Sequence, residues 1–258
     1  MISIMAETKC FDIYKSCITA IHDGKLITPE SSRDKEFHFQ NWCQQRLEDT
    51  GLNYDIGGRN SYPDFHLVKL AEGYEIKGLA YPGRERDFDA NSNVPTGSYN
   101  GREIFYIFGR YPADLTEYRT KSGVEYPVID LVICHGDFLS ANHDYIHENK
   151  HVSGFGTYGD IMIRDRKMYV VPTPFALTTG TTGLSTLIVP NNYTTPKDFI
   201  CVGELTRVEC DKLVIGYEFD LTTNKMVTNV IENPNAGQKH HFKALRHTSQ
   251  ANKAVTMK

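Results

Sequence analysis

The sequence predicts a mixed α/β or α+β protein, and three patterns carry that reading. Apolar residues recur at helical spacing near the start, continuous apolar runs of strand length fill the middle, and the last quarter alternates with regular turn residues. Taken in order, residues 9–21 place Phe11, Tyr14, Cys17, Ile18 and Ile21 on one helical face. Thr28-Pro29-Glu30 and the following SSRD carry helix-start chemistry. The next helix, about 33–50, sets Phe39, Trp42, Cys43 and Leu47 on one side and stops at Gly51. The period then changes. YPDFHLV, a KLAEG turn and YEIKGLA read as a hairpin of two short strands. The runs at 103–111 and 128–135 are strand-length and largely apolar, as strands buried on both faces are. Residues 138–150 are the remaining helix candidate, and 166–172 and 185–190 are strands bounded by Pro and Gly. From Phe199 onward the alternation, with turns at 209–212 and 222–224, predicts a β-meander. The final 25 residues read as a flexible basic arm, because no Asp or Glu occurs after Asn233 while Lys239, Lys243, Arg246, Lys253 and Lys258 do.

Composition narrows the function classes. The 258 residues are 40% apolar and 23% charged, an ordinary globular balance. No apolar run reaches the roughly eighteen residues a membrane helix needs. The first residues lack a basic stretch leading into an apolar one, so the expectation is a cytoplasmic protein without a secretory leader. The six cysteines are scattered with no close pair, which argues against zinc fingers and redox dithiols. Net charge is −4, which does not advertise nucleic-acid binding, although a basic concavity can coexist with an acidic exterior.

The chemistry concentrates in Y62-P63-D64-F65-H66-L67-V68-K69-L70-A71-E72-G73-Y74-E75-I76-K77. Glu75 and Lys77 are two apart on a strand and leave the same face. Asp64 opens the preceding antiparallel strand, so the hairpin converges two carboxylates and one ammonium. Mg²⁺ takes oxygen ligands and is typically held by one or two carboxylates plus a substrate phosphate. Asp64 and Glu75 supply such oxygens, with the Ile76 carbonyl as a third, and Lys77 adds positive charge beside them. This set suits hydrolysis of a phosphodiester.

Pro63-Asp64, ten intervening residues, and Glu75-Ile76-Lys77 resemble the signature of the PD-(D/E)XK nuclease superfamily, and more particularly of type II restriction endonucleases. The resemblance spans roughly 33–150. It implies a restriction-endonuclease-like αβββαβ core, with a mixed central sheet flanked by helices and further β-hairpins toward the C-terminus. It also implies Asp64, Glu75 and Lys77 as catalytic residues, Mg²⁺ as cofactor, and Glu36 on the first helix as a further metal ligand. The loop holding Asn91 and Ser92, followed by a strand, is similar to the segment after the catalytic lysine in several restriction enzymes. A second stretch, 155–170, is similar to their DNA-reading segments and contributes Arg164, Arg166 and Lys167. Arg84, Arg86, Arg102 and Arg110 are candidates to line the same cleft, since arginine pairs with guanine and with phosphate. The implied organisation is an N-terminal helical arm (1–32), a catalytic core (33–198) with a DNA-reading segment around 155–190, and a meander with basic tail (199–258). The implied partners are double-stranded DNA, a second copy in a homodimer, and a cognate DNA methyltransferase. A repair or structure-selective nuclease of the same superfamily, or a non-catalytic DNA-binding module, are the competing expectations.

Other motifs carry plainer readings. His135-Gly136-Asp137 follows a buried strand and lacks a nucleophile at recognisable spacing, so it reads as a loop. The Thr/Gly run at 178–183 lacks the GK[ST] ending of a phosphate loop. His240, His241 and His247 read as part of a polar tail.

Overall fold

The computed structural model describes residues 8–29, 35–57, 61–90, 94–121, 123–141, 156–164 and 168–258. The N-terminal third comprises α1 (Cys10–His22), β1 (Leu26–Ile27), α2 (Lys35–Asp49), β2 (Tyr54–Ile56), β3 (Phe65–Leu67) and β4 (Glu72–Tyr81). The middle holds β5 (Asp87–Ala90), β6 (Ser98–Tyr99), β7 (Arg102–Pro112), β8 (Arg119–Thr120), β9 (Gly123–Val124), β10 (Tyr126–Pro127), β11 (Asp130–His135) and α3 (Gly136–Leu139). Next come β12 (Met162–Arg164), β13 (Met168–Pro172), α4 (Pro174–Leu177), β14 (Thr178–Thr179) and β15 (Thr186–Pro190). The chain closes with β16 (Phe199–Val208), β17 (Lys212–Asp220), β18 (Lys225–Glu232), β19 (Lys239–His247) and β20 (Thr256–Met257).

This is an α+β fold around one mixed sheet of nine strands, in the order β16-β19-β15-β11-β7-β4-β3-β2, with β6 attached to β7. Two neighbouring pairs, β4 with β7 and β11 with β15, are parallel. The other ladders of this sheet are antiparallel. The β4–β7 connection carries β5 and β6 and no helix among the described residues. Strand alternation splits the central strands between two cores. Tyr74, Ile76, Phe105, Ile107, Leu131 and Ile133 face α1 and α2. Leu79, Ile104, Tyr106, Phe108, Val132 and Cys134 face the opposite layer, built from the small sheet β12-β13-β5 with α3 and α4.

The two long helices lie where the periodicity put them. Ile13, Tyr14 and Cys17 of α1 are completely buried, so this segment is a wall of the core rather than an arm. Phe39 of α2 lies over the register pair Gly78 and Gly109, and a Cβ on Gly109 would stand 2.0 Å from the Phe39 ring. Any side chain there would lift α2 off the strand that carries Glu75 and Lys77. Trp42 donates to the Lys25 carbonyl at 3.0 Å and tethers α2 to the loop after α1.

Three expectations change. α3 ends at Leu139, and residues 142–155, which include most of the expected helix 138–150, lie outside the described residues. The region after Phe199 is not a meander: β16 pairs with β19, and β17 with β18 forms a separate hairpin inserted between them. The final 25 residues are not a loose arm, because β19 fills a place inside the central sheet and β20 pairs with β14. The physical reason is alternation overlooked behind charge: Phe242 and Ala244 face one core and Leu245 the other.

Candidate metal centre

The hairpin positions its acidic groups by a truncated ladder. β3 pairs with β4 only at Phe65–Tyr74 and His66–Gly73, so β4 loses its antiparallel partner beyond Tyr74. Asp64 stands at that point, and its Oδ2 accepts the Ile76 N–H at 2.7 Å. A residue's N–H and C=O point to the same side of a strand, so the Ile76 carbonyl faces this same edge. Close approach is possible because position 73 is glycine: a Cβ there would stand 2.5 Å from Pro63 Cγ.

Glu75 and Lys77 project from β4 toward the second core, as their parity requires. Lys77 Nζ donates to Glu75 Oε1 at 2.6 Å, with the Glu75 side chain 12% and the Lys77 side chain 26% exposed. The ammonium also lies 5.9 Å from the centre of the Phe88 ring. Asp64, Glu75, Lys77 and the Ile76 carbonyl are therefore gathered about three residues of one strand. Two tyrosines, unrecognised in sequence, line this site. Tyr62 and Tyr106 share a hydrogen bond of 2.7 Å between their hydroxyls. Burial first, and the Glu75 charge in addition, push both phenols well above their ordinary range, so they remain neutral. The even-numbered face of 103–111 and the Tyr before Pro63 were the sequence signals that could have found them.

The donor set suits Mg²⁺ on chemical grounds. Among the described residues no group of three or more His, Cys, Asp or Glu is placed to hold a metal. That excludes an all-protein cage of such side chains there. Mg²⁺ instead keeps several waters and uses one or two carboxylates, and each carboxylate offers about four lone-pair positions. Asp64 and Glu75, with the Ile76 carbonyl, are the oxygens on which that smaller demand would draw.

The remaining candidates are dispersed. Arg84 is exposed and pairs loosely with Asp89 at 3.8 Å. Arg86 is exposed just before β5. Arg102 is occupied elsewhere: its Nη1 donates to the carbonyls of Leu67 at 2.8 Å and Leu70 at 3.0 Å, bracing the β3–β4 turn. Arg110 is buried in a two-point ion pair with Asp130, both contacts at 2.6 Å. Glu36 falls in the first turn of α2 and Arg164 in β12, with their side chains outside the described part. Asn91, Ser92, Arg166 and Lys167 lie outside the described residues.

His135 and Asp137 belong to a network of their own. The Asp137 N–H donates to His135 Nδ1 at 3.2 Å, and His135 Nε2 lies 3.4 Å from Glu103 Oε1, which also accepts from the Tyr193 hydroxyl. His240 lies 2.7 Å from Glu209, His241 3.2 Å from Thr206 and His247 2.8 Å from Ser249, three separate places. No helix among the described residues is long and apolar enough to cross a membrane. Compared with models of known families, with curated proteins and with solved structures, the chain matches none.

Proposed function

We propose that this chain is a Mg²⁺-dependent endonuclease of the restriction-endonuclease-like kind, hydrolysing phosphodiester bonds of double-stranded DNA at a short specific sequence. The observation that carries the reading is the 2.7 Å hydrogen bond from Ile76 N to Asp64 Oδ2, which seats one carboxylate against the strand that projects the other carboxylate and the lysine. Asp64, Glu75 and the Ile76 carbonyl would hold the ion. When bound, it supplies Lewis-acid charge stabilisation at phosphorus and a lowered pKa for an attacking water.

The chain's own groups do the rest. Glu75 fixes Lys77 at 2.6 Å, so the ammonium is oriented before substrate arrives and can face the growing negative charge on the phosphate. The neutral Tyr62, Tyr106 and Phe88 wall lowers the local dielectric, which strengthens that attraction. Partial exposure of Lys77 leaves a path for a phosphate from solvent. A homodimer in which each copy cuts one strand matches a two-fold recognition site. Cytoplasmic residence and a partner methyltransferase that protects host DNA belong to the same reading.

The test is digestion of plasmid and phage DNA with and without Mg²⁺, beside the Lys77→Ala variant. Discrete fragments from the native chain and none from the variant support the proposal. Intact supercoiled DNA under every divalent cation and substrate tried overturns it.

A further inference from the structure

A pocket of about 560 Å³ opens at the far end of β4, lined by Tyr81, Arg86, Arg110, Phe175 and Thr182 among others. Its floor is an unusual arginine. The Arg110 side chain is only 2% exposed, and its guanidinium centre lies 4.2 Å from the Tyr81 ring centre and 4.6 Å from that of Phe175. Asp130 engages Nε and Nη2, and Asp130 is itself held by the Gly183 N–H at 2.6 Å. Guanidinium has five N–H donors, and this arrangement uses two. The Nη1 edge carries no hydrogen bond among the described residues, although the residue lines the pocket.

A cross-strand ion pair explains why Arg110 faces Asp130, since the two are register partners on β7 and β11. It does not explain the donor edge left toward a cavity, nor what gathers at its rim. Arg86 and the Thr182 hydroxyl are both exposed there. The rim carboxylate, Glu85, is turned aside to accept the Gly83 N–H at 2.7 Å, and Lys258 donates to the Phe175 carbonyl at 3.0 Å. With Arg110 balanced by Asp130, and the Glu85 carboxylate by the Lys258 ammonium, the Arg86 charge leaves the side chains of the pocket net positive. A fixed planar donor, a second guanidinium and a hydroxyl form a receptor for a tetrahedral oxyanion.

We infer that this pocket is a phosphate subsite holding the DNA backbone beside the cut, an inference that rests on the nuclease reading. Tyr81 lies four residues beyond Lys77 on the same face of β4, so the two are about 13 Å apart at roughly 3.3 Å per residue. Because phosphates wind around the duplex axis, a straight span of that length joins phosphates about two steps apart along one strand. The rigid Arg110 sets the register of the duplex, and Arg86 closes over the phosphate from solvent.

Two measurements test it, using the full chain, Arg86→Ala, and Arg86→Ala with Thr182→Val. Arg110→Lys is added, since removing Arg110 outright risks the fold. The first titrates inorganic phosphate while following the Arg110 Nε–H signal by NMR. A saturable shift in the native chain, lost in the double variant, is expected, and its absence overturns the subsite whatever the chain does to DNA. The second measures labelled duplex binding against salt in EDTA. Arg86→Ala should weaken binding roughly tenfold for any sequence and lower the salt slope by about 0.9, with Arg110→Lys weaker than native. Phosphate binding with unchanged duplex affinity overturns the backbone assignment and marks a site for free phosphate or a mononucleotide. DNA cleavage that Arg86→Ala leaves intact, with KM unchanged, overturns the subsite and leaves the nuclease standing. A chain that neither binds nor cuts duplex overturns both.

Discussion

Replacing Asp64 separates its structural work from its chemical work, because the two substitutions Asn and Ala differ in only one of them. In the folded chain Asp64 Oδ2 accepts the Ile76 N–H at 2.7 Å, at a strand edge that β3 no longer covers. A hydrogen bond to a charged group contributes about 1.5–3 kcal/mol. Asp64 is half-buried, so water can partly replace it in Asp64→Ala, and a loss of about 1–2 kcal/mol is expected. Asp64→Asn keeps an uncharged oxygen at the same place and should lose only about 0.5 kcal/mol. For a chain of this size each kcal/mol lowers Tm by about 2–4 °C, so the two variants differ measurably. Cleavage behaves otherwise, since either change removes an anionic ligand worth several kcal/mol in the transition state, a fall of about 10²–10³ or more. The assays are thermal or urea unfolding beside plasmid digestion in Mg²⁺. Native cutting by Asp64→Asn would refute the catalytic assignment. An Asp64→Ala chain as stable as native would refute the bond to Ile76 instead.

Asp130→Ala should cost about 3–5 kcal/mol by urea denaturation, because it strands the buried Arg110 charge, whereas Asp130→Leu with Arg110→Met should recover most of that loss. Glu103 bears on acid stability. Burial pushes its carboxyl up, but the hydrogen bonds from His135 and Tyr193 outweigh burial and hold it below its ordinary 4.5. A group depressed in the folded state stabilises above its unfolded value, and that contribution disappears as pH falls through the folded one. Glu103→Gln should therefore be less stable than native at pH 7 and converge with it as pH falls through the depressed folded value, and a constant gap across urea titrations spanning neutral to acid pH would count against the linkage. Deleting 251–258 should destabilise the whole chain, since Val255 is buried and its N–H donates to the Val202 carbonyl at 2.8 Å. An unchanged unfolding midpoint would show that this segment is a dispensable arm after all.

The elements near the candidate site were legible because each rests on a local pattern. Periodicity marked α1 and α2, Gly51 closed α2, and alternation across the turn marked β3 and β4. Strand parity alone put Glu75 and Lys77 on one face. The partner of each charge was beyond the reach of sequence. Arg102 and Arg110 look like any exposed cation in a string of letters, yet Arg102 braces carbonyls of the β3–β4 turn and Arg110 answers Asp130, twenty residues away, across a strand pair. Tyr62 and Tyr106 were illegible for the same reason, because their meeting depends on a fold that brings residues 44 apart within 2.7 Å.

Charge counting fails on the basic C-terminal segment, and the failure bears directly on DNA binding. Of its five cations, three donate to backbone carbonyls: Lys243 to Tyr193, Arg246 to Lys253 at 2.6 Å, and Lys258 to Phe175 at 3.0 Å. Arg246 is completely buried, so its charge organises the turn before β20 rather than meeting a phosphate. A chain of net charge −4 thus lacks the flexible positive arm its composition suggested. Under the proposed function, the attraction for DNA must then come from few, fixed cations near β4, with Lys77, Arg84 and Arg86 foremost among the described residues. Few phosphate contacts mean a shallow salt slope, since each contributes about 0.9. Native duplex binding should therefore fall with salt at a slope of about −3 to −5, and a slope near −10 would show that the positive surface has been placed wrongly.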